Sequence, residues 1–176
     1  MYVIMETLNK KYVRQLILKK RLMLTLSDIA LGSDKIVNQI REDINYQKSN
    51  IVGIYLPIKN EVDIRKLLND DKTFCVPKIV NNEIFFTKID DKTEYQVGKY
   101  NILEPINLEV IDEIDYLIVP AIAIYNNYRL GFGGGYYDRY LHKYRPKYVV
   151  GVIYQFQEIE FDVRSHDEKL DYFFKG

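Results

Sequence analysis

The chain alternates amphipathic segments with short apolar runs. Apolar residues recur at helical spacing in residues 7–24 and 28–46, which are predicted helices, and a third predicted helix spans 61–68. The polar stretch 90–101 is a predicted loop. The continuous apolar run 51–56 suits a strand covered on both faces, and further strands are predicted at 73–76, 84–88, 116–119 and 148–153.

Strands that alternate with helices favour an α/β fold with a mostly parallel sheet. No repeat or low-complexity linker divides the 176 residues, a length at which one domain buries roughly two-thirds of its unfolded surface. We therefore predict a single α/β domain over residues 1–176. Its expected architecture is a three-layer sandwich, with a largely parallel central sheet and helices on both faces.

Residues 129–139, RLGFGGGYYDR, hold four of the nine glycines. Glycine costs backbone entropy inside a folded domain, so such a cluster indicates positive φ angles or a close approach to another group. A predicted helix begins near Tyr136, and a glycine turn that opens a helix directs free N–H groups and the positive helix dipole to one point. The pattern therefore predicts a phosphate site, with a flexible surface turn as the alternative.

The flanks of this segment add candidate chemistry. Asn126-Asn127 tolerates the left-handed conformation of a tight hairpin, which would bring Arg129 to the edge of the glycine turn. Asp138 falls in the first helical turn, where a carboxylate could hold a Mg²⁺ ion that bridges phosphate oxygens. The G-x-x-x-x-G-K-[ST] motif is absent, and Tyr136 replaces the third glycine of G-x-G-x-x-G. These departures disfavour a Walker-type ATPase and an ordinary Rossmann dehydrogenase.

Charge and cysteine content narrow the class of protein. Lys plus Arg equals Asp plus Glu, 25 of each, so no overall field favours nucleic acid or an anionic membrane. Cys75, the one cysteine, is interpreted as a core residue of a protein in a reducing cytoplasm. No apolar run approaches 18 residues, and the first residues lack the basic leader of a secretory signal. We expect a cytoplasmic protein with no nucleic-acid or membrane partner.

The segment 117–141, LIVPAIAIYNNYRLGFGGGYYDRYL, resembles the signature of the 5-formyltetrahydrofolate cyclo-ligases, also called methenyltetrahydrofolate synthetases. In that family a strand ending in Pro leads to a short hairpin and then to Arg-Leu-Gly-x-Gly-x-Gly-Tyr/Phe-Tyr-Asp. The likeness covers nearly the full length. Further pieces follow the family order: Lys10 with Arg14, residues 60–63, Pro77-Lys78, residues 102–105, and His166-Asp167 with Leu170-Asp171.

The resemblance implies an activity, its substrates and its site residues. The activity is ATP- and Mg²⁺-dependent cyclisation of 5-formyltetrahydrofolate, with or without a polyglutamate tail, to 5,10-methenyltetrahydrofolate, by a monomer or homodimer. The implied ATP contacts are Lys10, Arg14, Arg129, Leu130, Gly131, Phe132, Gly133, Gly134, Gly135, Tyr136 and Tyr137. The implied folate contacts are Leu56, Glu61, Phe132 and Tyr136, the implied catalytic residues are Arg129 and Tyr136, and the implied metal ligands are Asp138 and Asp171.

Two departures and two alternatives accompany this interpretation. Phe132 and Gly134 stand where some relatives carry basic residues, so fewer cations would hold phosphate or a polyglutamate tail. One alternative is a sugar-phosphate isomerase or acyl-transfer enzyme that uses the glycine turn without consuming ATP. The other is an RNA-binding module built on the tyrosines and the basic N-terminal helix, which the zero net charge disfavours.

Overall fold

The computed structural model describes residues 8–176, and the elements below belong to that part of the chain. The helices are α1 (Lys10–Leu22), α2 (Leu26–Glu42), α3 (Ile44–Lys48) and α4 (Tyr136–Lys143), with single 3₁₀ turns at Arg65–Asn69, Lys99–Asn101 and Gln155–Gln157. The strands are β1 (Ile51–Gly53), β2 (Thr73–Val80), β3 (Glu83–Ile89), β4 (Tyr95–Val97), β5 (Leu103–Pro105), β6 (Tyr116–Pro120), β7 (Ala123–Tyr125), β8 (Tyr128–Leu130), β9 (Tyr148–Ile153) and β10 (Tyr172–Lys175).

The central sheet has six strands in the order β10-β9-β6-β1-β2-β3. All neighbours pair in parallel except β2 and β3, which form an antiparallel hairpin. Two small antiparallel pairs, β4-β5 and β7-β8, stand outside it. The predicted largely parallel sheet is confirmed.

Helices cover both faces of this sheet, because its strands bury alternate residues on opposite sides. On β2, Phe74 and Val76 join the core beneath α2, whereas Cys75 joins the core beneath α4. Apolar residues of α2 fill the first core, and Tyr140 and Leu141 of α4 fill the second. The predicted three-layer α/β sandwich is therefore confirmed.

Helix α1 lies against the β7-β8 hairpin instead of against the central sheet. Val13 and Ile17 pack with Leu130 and Phe161 in a third, smaller core. This packing brings the N-terminal half of α1 beside residues 131–135, the loop between β8 and α4, which we call the glycine loop. Among residues 8–176, no helix has the length and apolar character needed to cross a membrane.

Three predicted elements need correction. The helix predicted at 28–46 is two helices, because Asp43 leaves helical geometry at φ −68°, ψ 122° and caps α3 through its side chain. The strand predicted at 51–56 ends at Gly53. The helix predicted at 61–68 is wrong: residues 61–64 are irregular, with Tyr55 Oη donating to the carbonyl of Val62 (2.6 Å), and a 3₁₀ turn follows at Arg65–Asn69.

Two strand regions escaped prediction. The stretch 90–101, predicted as a loop, contains β4 and a 3₁₀ turn and pairs with β5. Strand β10 forms the sheet edge beside β9 through only four residues, after a polar segment. Both are short and carry exposed residues, so their apolar pattern is weak. Thr7, the predicted first residue of α1, lies outside the described residues.

Candidate active site

One cavity of about 1330 Å³ opens at the carboxyl ends of β1, β2 and β6. Ligands in open α/β sheets gather at this edge. The cavity walls also include the start of α1, the glycine loop and residues 164–168. The predicted site residues that line it are Lys10, Arg14, Leu56, Glu61, Arg129, Leu130, Gly131, Phe132, Gly133, Gly134, Gly135, Tyr136, Tyr137 and Asp138.

The glycine loop takes backbone conformations that other residues disfavour. Gly133 has φ +107° and Gly135, at the N-cap of α4, has φ +65° with no side-chain cap. Arg14 Nε donates to the carbonyl of Gly131 (2.8 Å), and Arg139 Nη1 donates to that of Gly134 (2.8 Å). These arginines occupy carbonyl oxygens that would otherwise repel an anion, while the uncapped helix start offers N–H groups.

Arg129 is buried where the hairpin meets the glycine loop. Its Nε donates to the carbonyl of Pro120 (3.1 Å), and its guanidinium lies 4.8 Å from the ring centre of Tyr137. A Cβ on Gly131 would lie 2.5 Å from Arg129 Nη2, so a larger residue there would displace the Arg129 guanidinium. Arg129 Nη1 is 3.7 Å from Asp138 Oδ2, whereas Asp138 Oδ1 is buried with no hydrogen-bond partner among the described residues.

Lys10 is buried in an ion pair with Asp167, 157 positions away along the chain. Lys10 Nζ lies 2.8 Å from Asp167 Oδ1 and 2.5 Å from Oδ2, and the Arg164 N–H donates to Oδ2 at 2.7 Å. Burial alone would raise the pKa of Asp167, but these two donors bring that pKa below its usual value. The pair fixes the ammonium group at the cavity wall.

Acidification is expected to destabilise the wild-type protein more than the Asp167→Asn variant. Because the folded-state pKa of Asp167 lies below the unfolded value of about 3.9, its contribution is full above that value and disappears as pH falls through the folded pKa. Urea unfolding of both proteins between neutral and acidic pH measures the difference. Parallel losses of the free energy of unfolding in the two proteins would contradict this role of the ion pair.

Glu61 faces the cavity from the turn after β1. Its Oε2 accepts the N–H of Ile58 (3.0 Å), and its Oε1 lies 3.8 Å from Arg21 Nη2. Burial raises the pKa of Glu61, and the two largest effects that lower this pKa are the charge of Arg21 and the hydrogen bond from the Ile58 N–H. The carboxylate is therefore held in one orientation at the cavity wall.

Tyr136 forms hydrogen bonds with Lys99 and Asn82, two residues that the sequence analysis did not place in the site. Its hydroxyl accepts from Lys99 Nζ (2.7 Å) and donates to Asn82 Oδ1 (2.9 Å), and Lys99 lowers the pKa of Tyr136. Arg139 lies over the ring face at 4.9 Å. Asn81-Asn82 forms a tight turn with φ +49° and +65°, like Asn126-Asn127 in the other hairpin. This second Asn-Asn pair was the sequence signal that could have indicated the β2-β3 turn beside Tyr136.

Asp171, the second expected metal carboxylate, is not among the residues that line the cavity. Its Oδ2 accepts the N–H of Val149 (2.7 Å) and Arg145 Nη2 (3.0 Å) at the start of β10. These hydrogen bonds hold the Asp171 carboxylate at the start of β10, and Asp138 but not Asp171 lines the cavity. Residues 8–176 contain no group of three or more His, Cys, Asp and Glu side chains that could hold a metal ion.

Comparison with known proteins identifies relatives of the whole chain. The sequence model of the 5-formyltetrahydrofolate cyclo-ligase family matches residues 6–174. The 5-formyltetrahydrofolate cyclo-ligase of Mycoplasma pneumoniae is 32% identical over 173 residues, which cover 93% of this chain and 96% of that protein. The Haemophilus influenzae 5-formyltetrahydrofolate cyclo-ligase is 25% identical, over 89% and 91% of the two chains.

Solved structures agree with these relatives. The NMR structure of Aquifex aeolicus 5,10-methenyltetrahydrofolate synthetase has a TM-score of 0.82 and 32% identity, covering 94% of this chain and 89% of that one. A 5,10-methenyltetrahydrofolate synthetase from Mycoplasma pneumoniae has a TM-score of 0.74 and 28% identity, covering 94% and 98%. Neither alternative function considered from the sequence corresponds to these relatives, and the resemblance carried by residues 117–141 is confirmed. The chain belongs to the 5-formyltetrahydrofolate cyclo-ligase family and is an enzyme of that family.

Proposed function

We propose that the protein cyclises 5-formyltetrahydrofolate to 5,10-methenyltetrahydrofolate, with ATP as co-substrate and Mg²⁺ as cofactor. The observation that carries the proposal is one cavity lined by three features: the glycine loop, the basic residues of α1 and the Glu61 turn. The first two suit a nucleotide phosphate, and the third suits a hydrogen-bonding heterocycle. The names of the relatives supply the identity of that heterocycle.

The nucleotide end consists of the glycine loop with Lys10, Arg14 and Arg129. In the proposed complex the N–H groups of residues 131–135 surround the phosphates, and the arginines and Lys10 add positive charge. Lys10 is already paired with Asp167, so we propose that it acts as a fixed charge at the wall. Leu130 is buried and Tyr137 is partly buried, and we propose that both support the loop behind the phosphates.

The folate end consists of Glu61 with apolar surface around it. A carboxylate accepts hydrogen bonds from neighbouring N–H donors, such as those on the edge of a pterin. Leu56 and Phe132 offer apolar contact, and the ring of Tyr136 offers stacking surface. Phe132 is about half exposed (45%), with Lys59 Nζ 5.3 Å from its ring centre, and we propose that the exposed part of the ring covers a bound ring.

The proposed reaction uses ATP to make the formyl oxygen a leaving group. The formyl oxygen attacks the γ-phosphorus of ATP, the bond to the β-bridging oxygen breaks, and ADP leaves. The neighbouring ring-forming nitrogen then attacks the formyl carbon, loses its proton, and the C–O bond breaks with release of phosphate. Positioning and neutralisation of phosphate charge carry most of the catalysis in such transfers, which is the role proposed for Arg129 and Tyr136.

The residues present fit a magnesium ion held mainly by substrate. Mg²⁺ prefers oxygen ligands and commonly uses one or two carboxylates together with phosphates and waters. Asp138 supplies one carboxylate at the start of α4, and its Oδ1 lacks a hydrogen-bond partner among the described residues. A bound Mg²⁺ would supply neutralisation of phosphate charge at this position.

The proposed partners are the two substrates alone, with or without a polyglutamate tail on the folate, and the proposed location is the cytoplasm. Cys75 is consistent with a reducing compartment, because it is buried and unpaired. Burial raises the pKa of its thiol to about 12, which keeps it protonated and unreactive near neutral pH. We propose a monomer or a homodimer.

The absorbance of methenyltetrahydrofolate tests the function directly. We expect absorbance to rise only when 5-formyltetrahydrofolate, ATP and Mg²⁺ are all present, with one ADP and one phosphate released per turnover. Omission of each component in turn is the control. Product formation without nucleotide, or none with every component, would contradict the proposal.

The Asp138→Asn variant is expected to need about 10-fold more Mg²⁺ for half-maximal activity, because a neutral amide is a weaker ligand. A titration of initial rate against Mg²⁺ at saturating substrates measures the change. Asp171→Asn is the matched control, since that carboxylate lies outside the cavity lining. A larger shift in the Asp171 variant than in the Asp138 variant would contradict the assignment.

A further inference from the structure

Arg21 is a fully buried arginine in the last turn of α1 that the proposed reaction does not use. Its Nε donates to the carbonyl of Lys59 (3.0 Å), and its Nη2 donates to the carbonyls of Lys59 (2.7 Å) and Ile58 (3.2 Å). Burying a guanidinium is costly unless it is paired and hydrogen-bonded. All three hydrogen bonds of Arg21 go to carbonyls of the 58–61 turn, so the guanidinium holds this turn in place.

This turn has an unusual backbone that Arg21 stabilises. Lys59 and Asn60 are consecutive left-handed residues, with φ +47° and +57°. Such residues cost energy and persist only where the surroundings determine them. The contact is reciprocal, because Asn60 Nδ2 donates to the carbonyl of Arg21 (3.0 Å) while Arg21 holds the carbonyls of the turn.

The turn ends at Glu61, so Arg21 also sets the charge environment of that carboxylate. Burial raises the pKa of Glu61, and Arg21 opposes this more than any other group. The other groups that lower the pKa of Glu61 are the Ile58 N–H and the cations of Arg129 and Lys59, and the charge of Glu61 in turn raises the pKa of the neighbouring phenols of Tyr55, Tyr137 and Tyr154. Without Arg21, Glu61 would protonate at higher pH and would no longer accept every donor.

We propose that Arg21 is a positioning residue for the folate substrate, which acts through Glu61 and the 58–61 turn. Arg21 is not among the residues that line the cavity, so it acts without touching the substrate. The inference rests on the proposed function, in which Glu61 contacts the folate. It assigns a folate-specific role to a residue of α1, the helix whose opposite end carries Lys10 and Arg14.

Steady-state kinetics of Arg21→Gln, Arg21→Lys and Asn60→Gly test the inference. We expect KM for 5-formyltetrahydrofolate to rise by about 10-fold or more in Arg21→Gln, less in Arg21→Lys, and about threefold in Asn60→Gly, which keeps the left-handed backbone. KM for ATP should stay within about twofold of wild type. The pH below which folate KM increases should move upward in Arg21→Gln.

Arg41→Gln is the control, because Arg41 likewise bonds a carboxylate and a carbonyl, those of Asp70 and Lys66, outside the cavity. It should leave both KM values unchanged. If Arg21→Gln does not fold, Arg21→Lys and Asn60→Gly decide by the same criteria. Folate KM within about twofold of wild type in the folded variants, or equal rises for folate and ATP, would overturn the role of Arg21. Inactive wild-type protein would instead overturn the proposed function.

Discussion

The Gly135→Val variant is expected to lose ATP-dependent ring closure, with kcat/KM for ATP at least about 100-fold lower. Gly135 has φ +65° and is the N-cap of α4, and a β-branched residue is a strong outlier at positive φ. Its Cβ would also approach Arg139 Nη1 to 2.9 Å, at the side chain that holds the Gly134 carbonyl. Relief of this strain would move the N–H groups proposed to bind phosphate.

Gly135→Asn separates backbone strain from added bulk. Asparagine places a Cβ in the same position but tolerates the left-handed conformation. We expect this variant to keep much more activity than the valine variant, with KM for folate little changed in both. Isothermal titration with a non-hydrolysable ATP analogue reports binding apart from turnover. Equal nucleotide affinity in the valine variant and wild type would contradict the proposed phosphate site.

The Glu61→Gln variant is expected to raise KM for 5-formyltetrahydrofolate by about 10- to 150-fold, because hydrogen bonds to charged groups contribute about 1.5–3 kcal/mol. Glutamine keeps the shape and can still accept from the Ile58 N–H, but it loses the charge that pterin donors would meet. KM for ATP should change little, because the nucleotide contacts lie on other segments. Initial rates over a matrix of both substrate concentrations separate these effects.

Asp70→Asn is the matched control for Glu61→Gln. Asp70 also pairs with a helical arginine, Arg41, at 2.7 Å, but it does not line the cavity. We expect normal KM values in this variant even if its melting temperature falls. Equal folate KM values in wild type and the Glu61 variant would end the assignment of Glu61 to the folate.

The fold and the backbone geometry of the glycine loop could be predicted because their signals are local. The run 148–153 is a strand with the same bounds as predicted, and Asn126-Asn127 forms the expected tight turn, with φ +50° and +64°. Four glycines within a short segment indicated special backbone geometry, and Gly133 and Gly135 have positive φ. These features depend on residues that are neighbours in the sequence.

The remaining parts depend on contacts between distant segments. Lys10 meets Asp167 across 157 positions, and Lys99 meets Tyr136 across 37 positions. No spacing rule reports such pairs. The helix predicted to begin at Glu61 failed because Tyr55 Oη takes the carbonyl of Val62, which a helix would use, and Ser33 of α2, 30 positions away, accepts the N–H of Asp63.

Because Cys75 is buried, this chain suits site-specific labelling at a cysteine introduced on the surface. Its protonated, inaccessible thiol should leave maleimide dyes unreacted, so the native protein serves as its own blank. A Val97→Cys variant would place one reactive thiol on β4, where the side chain is 65% exposed. Fluorescence from that position would then report, in real time, whether the strand pair beside Tyr136 shifts as nucleotide arrives.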